Sequence, residues 1–179
     1  MNRILAIGLL CLNLMACGSE DAPKRTSDQI RAALLVRQAS EHIPQGRYQA
    51  AIAPMADAIV LEPANTEYRL LHCLLLERTE AALAETKRCY ADVVNLFSKE
   101  GPPCDQNMNC VIASLLAESD QAEATKRAFL AQPVPQAEAE MRQYVLEDFD
   151  RRSYLNASLV GCNAGLIRLR RPLPRTNWQ

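Results

Sequence analysis

The stretch Leu83-Ala84-Glu85-Thr86-Lys87-Arg88-Cys89-Tyr90-Ala91-Asp92-Val93-Val94-Asn95-Leu96-Phe97 decides the fold class. Leu83, Thr86, Tyr90, Val93, Val94 and Phe97 recur at steps of three and four. That period puts them on one face of an α-helix and the charged residues on the other. On the C-terminal side, Gly101-Pro102-Pro103 stops the helix, since two prolines supply no backbone N–H donors. On the N-terminal side, Glu80-Ala81 marks a turn back to another helix, opened by Asn65-Thr66 and striped by Tyr68, Leu71, Leu74 and Leu75.

The same pairing continues outward. Ser27-Asp28 provides an N-cap for a first helix over Gln29–Ser40, because short polar side chains accept hydrogen bonds from the free first-turn amides. Ile43-Pro44-Gln45-Gly46 breaks it, and a second helix runs from Arg47 to Leu61. Beyond the glycine–proline break, helices are predicted over Met108–Ala117, Gln121–Gln132, Gln136–Asp150 and Ser153–Val160. In the Gln136–Asp150 element, Met141, Tyr144, Val145 and Phe149 form the expected apolar face. The fold expected is all-α: antiparallel helix pairs, in a solenoid or a bundle.

Composition agrees. Aromatic residues make up 5% of the 179-residue chain and glycines number 6, too few for a typical all-β sandwich or barrel. Hydrophobic residues at 49% and charged residues at 23% exclude a disordered charged tail. Twenty Lys and Arg against 21 Asp and Glu exclude a nucleic-acid binder that relies on bulk positive charge.

The N-terminus reads as an address. Arg3 precedes an apolar run from Ile4 to Leu14, too short for a bilayer-spanning helix, which needs ~20 apolar residues, but suited to a secretory signal. The run ends in Leu14-Met15-Ala16-Cys17-Gly18. This resembles the lipobox of bacterial lipoproteins: an aliphatic residue, a tolerant position, a small residue and the acyl-accepting cysteine. The resemblance implies a signal peptide over 1–16 and lipidation at Cys17. With no Asp after Cys17 it further implies the periplasmic face of the outer membrane. The polar, patternless run after the cysteine reads as a leash over 17–27, and the helical pattern beyond it gives a helical domain over 28–165.

Removal of Cys11 with the signal and acylation of Cys17 leave Cys73, Cys89, Cys104, Cys110 and Cys162. An oxidising compartment permits bridges. Cys73 and Cys89 lie symmetrically about residue 81, where facing positions of a helical hairpin meet. Cys104 and Cys110 bracket a short loop. Cys162 is then the odd thiol, and pairings that use it remain the competing arrangement. No metal site is expected. Cys-x-x-Cys does not occur, His42 and His72 are the only histidines, and His72 and Cys73 are adjacent, so in a helix they point apart.

The stretch Gln38–Pro63 resembles a tetratricopeptide repeat, carried by Gly46-Arg47-Tyr48-Gln49-Ala50-Ala51-Ile52, Ala58-Ile59 and Leu61-Glu62-Pro63, with small Ala39 at the helix crossing. Leu35 and His42 stand where the family usually has Trp and Tyr, and Pro54 interrupts the second helix and is expected to bend it. A second copy about 34 residues on is degenerate, with Phe97 in the place of the proline.

No nucleophile elbow, phosphate-binding loop, zincin motif or dinucleotide fingerprint occurs. Glu147, Asp148 and Asp150 are close in sequence, but a helix spreads them around its circumference as a solvated face. The chain is therefore expected to act without catalysis, cofactor or metal.

The tail 166–179 is basic, with Arg168, Arg170, Arg171 and Arg175 and the sole tryptophan, Trp178. Arg and Trp are favoured interface anchors, so Arg168, Arg170, Arg171 and Trp178 are candidate partner contacts. The alternative packs the tail back on the acidic 138–150 helix. Two functional classes follow for a small lipid-anchored helical domain. One is an immunity lipoprotein that blocks a secreted antibacterial effector; here the resemblance is in kind, to those that guard against type VI secretion lipases. The other is a scaffold or pilotin-like factor that helps assemble an outer-membrane secretion, pilus or envelope complex.

Overall fold

A computed structural model describes residues 25–79 and 81–160. Across them the chain is all-α, with eight helices: α1 (Ser27–His42), α2 (Tyr48–Leu61), α3 (Thr66–Arg78), α4 (Leu83–Glu100), α5 (Met108–Ala117), α6 (Ala122–Leu130), α7 (Gln136–Leu146) and α8 (Arg151–Val160). None is long and apolar enough to cross a membrane. Cys17, Cys162 and the tail residues Arg168, Arg170, Arg171 and Trp178 lie outside the described residues.

Local chemistry sets the helix boundaries. The cap of α1 is Thr26 rather than Ser27-Asp28. Its hydroxyl accepts the Gln29 N–H (3.2 Å), and the Gln29 side chain accepts the Thr26 N–H in return (2.9 Å). Only Thr26 has a glutamine three residues ahead to close this reciprocal box; Ser27 and Asp28 have Ile30 and Arg31 there. A 3₁₀ turn at Ile43–Gln45 ends at Gly46, whose φ of 69° falls in the left-handed region that glycine enters without a Cβ penalty. Asn65 and Asn107 cap α3 and α5, each accepting a backbone N–H at 3.1 Å.

Helices adjacent in sequence are adjacent in space from α1 through α6, giving three hairpins in a row. Ala32, Ala39, Ala51 and Ala58 are fully buried, and their lack of side-chain bulk lets α1 and α2 approach closely. Pro54 lies inside α2 and is buried. The centre of the core is α5, buried from Cys110 through Leu116, which explains its continuous apolar run: a helix covered on every side needs no polar face.

On α4, Thr86, Tyr90, Val93 and Phe97 are buried as the period predicts, and Val94 packs partly against them. Leu83, the first residue of α4, is 52% exposed. On α3, Leu74 and Leu75 are buried, joined by Leu70 and Cys73, while Tyr68 and Leu71 are half-buried. A helix packed between α2 and α4 has two covered sides, which widens the expected single stripe.

α7 departs most from expectation. Met141 and Tyr144 are exposed, and the helix buries Arg142 and Leu146 instead, four residues apart. It ends at Leu146, so Phe149 lies beyond it and packs on Tyr154 of α8 with ring centroids 5.4 Å apart. The inward register follows Arg142, whose guanidinium stacks on the Phe129 ring (4.1 Å to the centroid), bonds Glu138 (2.6 Å) and reaches the Phe129 carbonyl (3.3 Å). α8 then returns across the loop ends of the hairpins and contacts the Ile43–Gln45 turn.

Candidate binding cleft

Where α8 crosses the hairpin ends, polar side chains from four helices meet. α3 finishes with Glu77 and Arg78, α4 contributes Tyr90, α5 ends near Glu118, and α8 brings Arg151 and Asn156. A cleft of about 590 Å³ opens over this junction, with the exposed side chains of Leu83 and Arg152 on its rim.

Arg151 organises the junction. Its Nε donates to Glu77 Oε1 (2.6 Å), its Nη1 donates to the Leu116 carbonyl and lies 3.6 Å from Glu118 Oε1, and its guanidinium carbon sits 5.7 Å from the Tyr90 ring centroid. A cation over the last carbonyls of α5 meets the negative end of that helix dipole. The Tyr90 hydroxyl donates to Glu77 Oε2 (2.8 Å), so both oxygens of Glu77 are engaged. Burial, reinforced by the neighbouring Glu77 carboxylate, drives the Tyr90 hydroxyl far above the usual tyrosine range. Tyr90 is therefore a fixed donor, not a base.

Beside it, Arg78 donates to Asn156 Oδ1 (2.8 Å) and to the Tyr48 hydroxyl (3.3 Å), and stands 5.1 Å from the Tyr48 ring centroid. Glu118 has a φ of 54°, uncommon for a residue with a Cβ. Its carboxylate is held there by Lys87 and lies below its ordinary range, first through the Lys87 hydrogen bond and then through the charges of Lys87 and Arg151. Asp150 accepts the Ser153 backbone N–H (2.7 Å) at the start of α8, and its pKa is lowered first by the Ser153 side chain and then by this backbone bond. The Nε of Arg78 and Nη2 of Arg151 are buried without a hydrogen-bond partner among the described residues.

Two disulfides lie in the helical row, one next to Glu77 and Tyr90 and the other at the opposite end of α5. Cys73 and Cys89 are bridged between α3 and α4, with Cα atoms 5.7 Å apart. Cys104 and Cys110 are bridged from the loop after α4 to the first turn of α5, with Cα atoms 5.1 Å apart. Cys73 is thereby unavailable as a thiolate ligand beside His72. His72 is partly buried, and desolvation, then the nearby Arg69, lowers its pKa. His42 closes α1 with its Nδ1 buried and unpartnered among the described residues. Glu147 and Asp148 are exposed, and Glu147 takes a hydrogen bond from Gln143 (3.1 Å). They do not join the cleft, whereas Asp150 does.

Sequence reasoning missed the cluster of Glu77, Tyr90, Arg78 and Arg151. Its key pair is 74 residues apart in the chain, and each member has an ordinary place on its own helix. A charged residue at an otherwise core-facing register is the only local trace.

The arrangement offers fixed donors and a charged rim at the edge of the helical row. No family model matches the chain, and neither curated proteins nor solved structures include a match.

Proposed function

We propose that this chain is a lipid-anchored protein of the bacterial outer membrane that faces the periplasm and acts by binding one protein partner. The observation that carries the reading is the pairing of all four cysteines among the described residues into two disulfides, in a chain that opens with a signal-like segment and Leu14-Met15-Ala16-Cys17. Disulfides persist in oxidising compartments such as the periplasm, and a lipobox directs a chain there. Several acyl chains on Cys17 anchor more firmly than one. The helical edge with its fixed donors supports partner binding, because a surface that is already ordered loses little conformational freedom on association.

The specific role proposed is that of an immunity protein, blocking a lipase-type antibacterial effector delivered into the periplasm. Occlusion of an active site needs an interface of ordinary size, about 800 Å² per partner, and the tether keeps the inhibitor where such a toxin meets membrane. Arg168, Arg170, Arg171 and Trp178 are the proposed tail contacts.

Two experiments test this. Palmitate should label the wild type and not Cys17→Ser; equal labelling ends the lipoprotein reading. Deleting the gene should sensitise cells to armed siblings, and the purified mature domain should neutralise the effector near equimolar ratio. A deletion strain that resists its siblings but fails to assemble a secretion or pilus complex transfers the role to an assembly scaffold.

A further inference from the structure

α1 stands at the end of the helical row. It packs on α2 through Ala32 and Ala39. Its opposite face presents Ile30 and Leu34, one turn apart and 51% and 49% exposed, with Arg31 and Arg37 exposed beside them. The acids of this helix, Asp28 and Glu41, stand near its two ends. The outermost element of a helical array ordinarily turns a polar face to water, so a paired aliphatic patch flanked by arginines at this position calls for a cover.

The chain itself points to the cover. Nine residues, Gly18 to Thr26, separate Cys17 from the start of α1. Fully extended, they span at most about 32 Å at ~3.6 Å per residue. A lipid on Cys17 therefore confines the first turn of α1 to the neighbourhood of the bilayer. In the leash, Lys24 and Arg25 are balanced by Glu20 and Asp21, so the charge that matches phosphate headgroups is that of Arg31 and Arg37 on the helix itself. Arginine stems lie along apolar surface while their heads stay in the polar layer.

We propose that the outer face of α1 rests on the bilayer that holds Cys17, with Ile30 and Leu34 at the acyl boundary and Arg31 and Arg37 at headgroup phosphates. This rests on the lipid-anchor reading. It gives the domain a fixed orientation, because a helix lying in the interface through an apolar face is held there by both buried area and charge.

The test uses the acylated chain in vesicles of phosphatidylcholine, phosphatidylglycerol and a brominated lipid that quenches tryptophan. Trp178 is the only native tryptophan, so Trp178→Phe provides a dark background. Leu34→Trp reports the proposed contact face, Ile30→Trp repeats the measurement one turn away, and Ala124→Trp reports an exposed site on α6. Quenching at residues 34 and 30 should exceed that at 124 by about threefold or more, and Arg31→Gln with Arg37→Gln should reduce it. Equal quenching at all three sites, in protein that floats with the vesicles, overturns the contact while leaving the anchor intact. Protein that neither floats nor carries palmitate overturns the anchor reading and this one with it.

Discussion

Helices α3, α4 and α5 meet through apolar side chains and the Cys73–Cys89 bridge, whereas α7 and α8, which add Leu146 and Leu155 to the same cluster, are fastened to the body by arginines. In the first region Leu75, Tyr90, Val93, Val111 and Leu116 are buried in one cluster, and Cys73–Cys89 ties two of its helices together. In the second, Arg142 clasps α7 onto Phe129 of α6, Arg151 bonds α8 to Glu77 and the end of α5, and Arg78 reaches Asn156. The first mode gains free energy roughly in proportion to apolar area, about 25 cal/mol per Å², and tolerates small misplacements. The second depends on a few donors finding their acceptors, and it fails abruptly when one partner is lost.

The largest effect should come from the covalent part of the apolar region. Replacing Cys73 and Cys89 together by alanine opens a closure with a sequence separation of 16 and should cost about 3 kcal/mol, since the bridge limits the unfolded chain. Replacing Cys104 and Cys110, with a separation of 6, should cost about 2 kcal/mol by the same entropic argument. Urea titrations of the two double variants, in non-reducing buffer, measure the difference. The reverse order would mean that native strain, not chain entropy, sets the contribution of each bridge.

Next comes the arginine-held region. Arg151→Met should destabilise the protein by about 2 kcal/mol, because the Leu116 carbonyl loses its donor and the mostly buried Glu77 loses its counter-charge and keeps only the Tyr90 hydroxyl. Adding Glu77→Gln should restore part of that loss, since an amide tolerates burial better than an unpaired carboxylate. A double-mutant cycle by urea denaturation gives the coupling. Additive losses would show that the two side chains do not act as a pair, and the contrast between the regions would collapse.

The same contrast decides what was legible in the sequence. Helix count and order, the small residues that let α1 meet α2, and most of the α4 face could be read because apolar burial repeats with the helical period. The α7 face could not. A hydrophobicity pattern assigns Met141 and Tyr144 inward and Arg142 outward, yet the guanidinium satisfies its donors on Glu138 and the Phe129 carbonyl and stacks on an aromatic ring. Thr26 was legible in principle through Gln29, and the neighbouring Ser27-Asp28 masked it. The cleft residues were not legible, because Glu77 and Arg151 become neighbours only after every intervening helix has packed.

The smallest effect belongs to Tyr90, which stands where the two regions join: its ring is buried in the apolar cluster and its hydroxyl donates to the carboxylate held by Arg151. At neutral pH, Tyr90→Phe should cost only about 1 kcal/mol, because Glu77 loses one donor and keeps the other. The pH dependence says more. In the fold, burial first and the Glu77 hydrogen bond second raise the Tyr90 pKa; in the unfolded chain the hydroxyl titrates near its ordinary value of about 10. A raised folded pKa contributes stability that is fully present below the unfolded value and is lost as pH rises above it. The wild type should therefore lose stability above pH ~10 more steeply than the phenylalanine variant, by up to about 1.4 kcal/mol per pH unit. Tyr68 and Tyr154, also raised by burial, supply a decline common to both proteins. Urea midpoints from pH 9 to 11 test this. Convergence of the two curves places Tyr90 as a buried, permanently protonated donor, and parallel curves would mean that its hydroxyl ionises freely in the fold and that the junction is wetter than its packing implies.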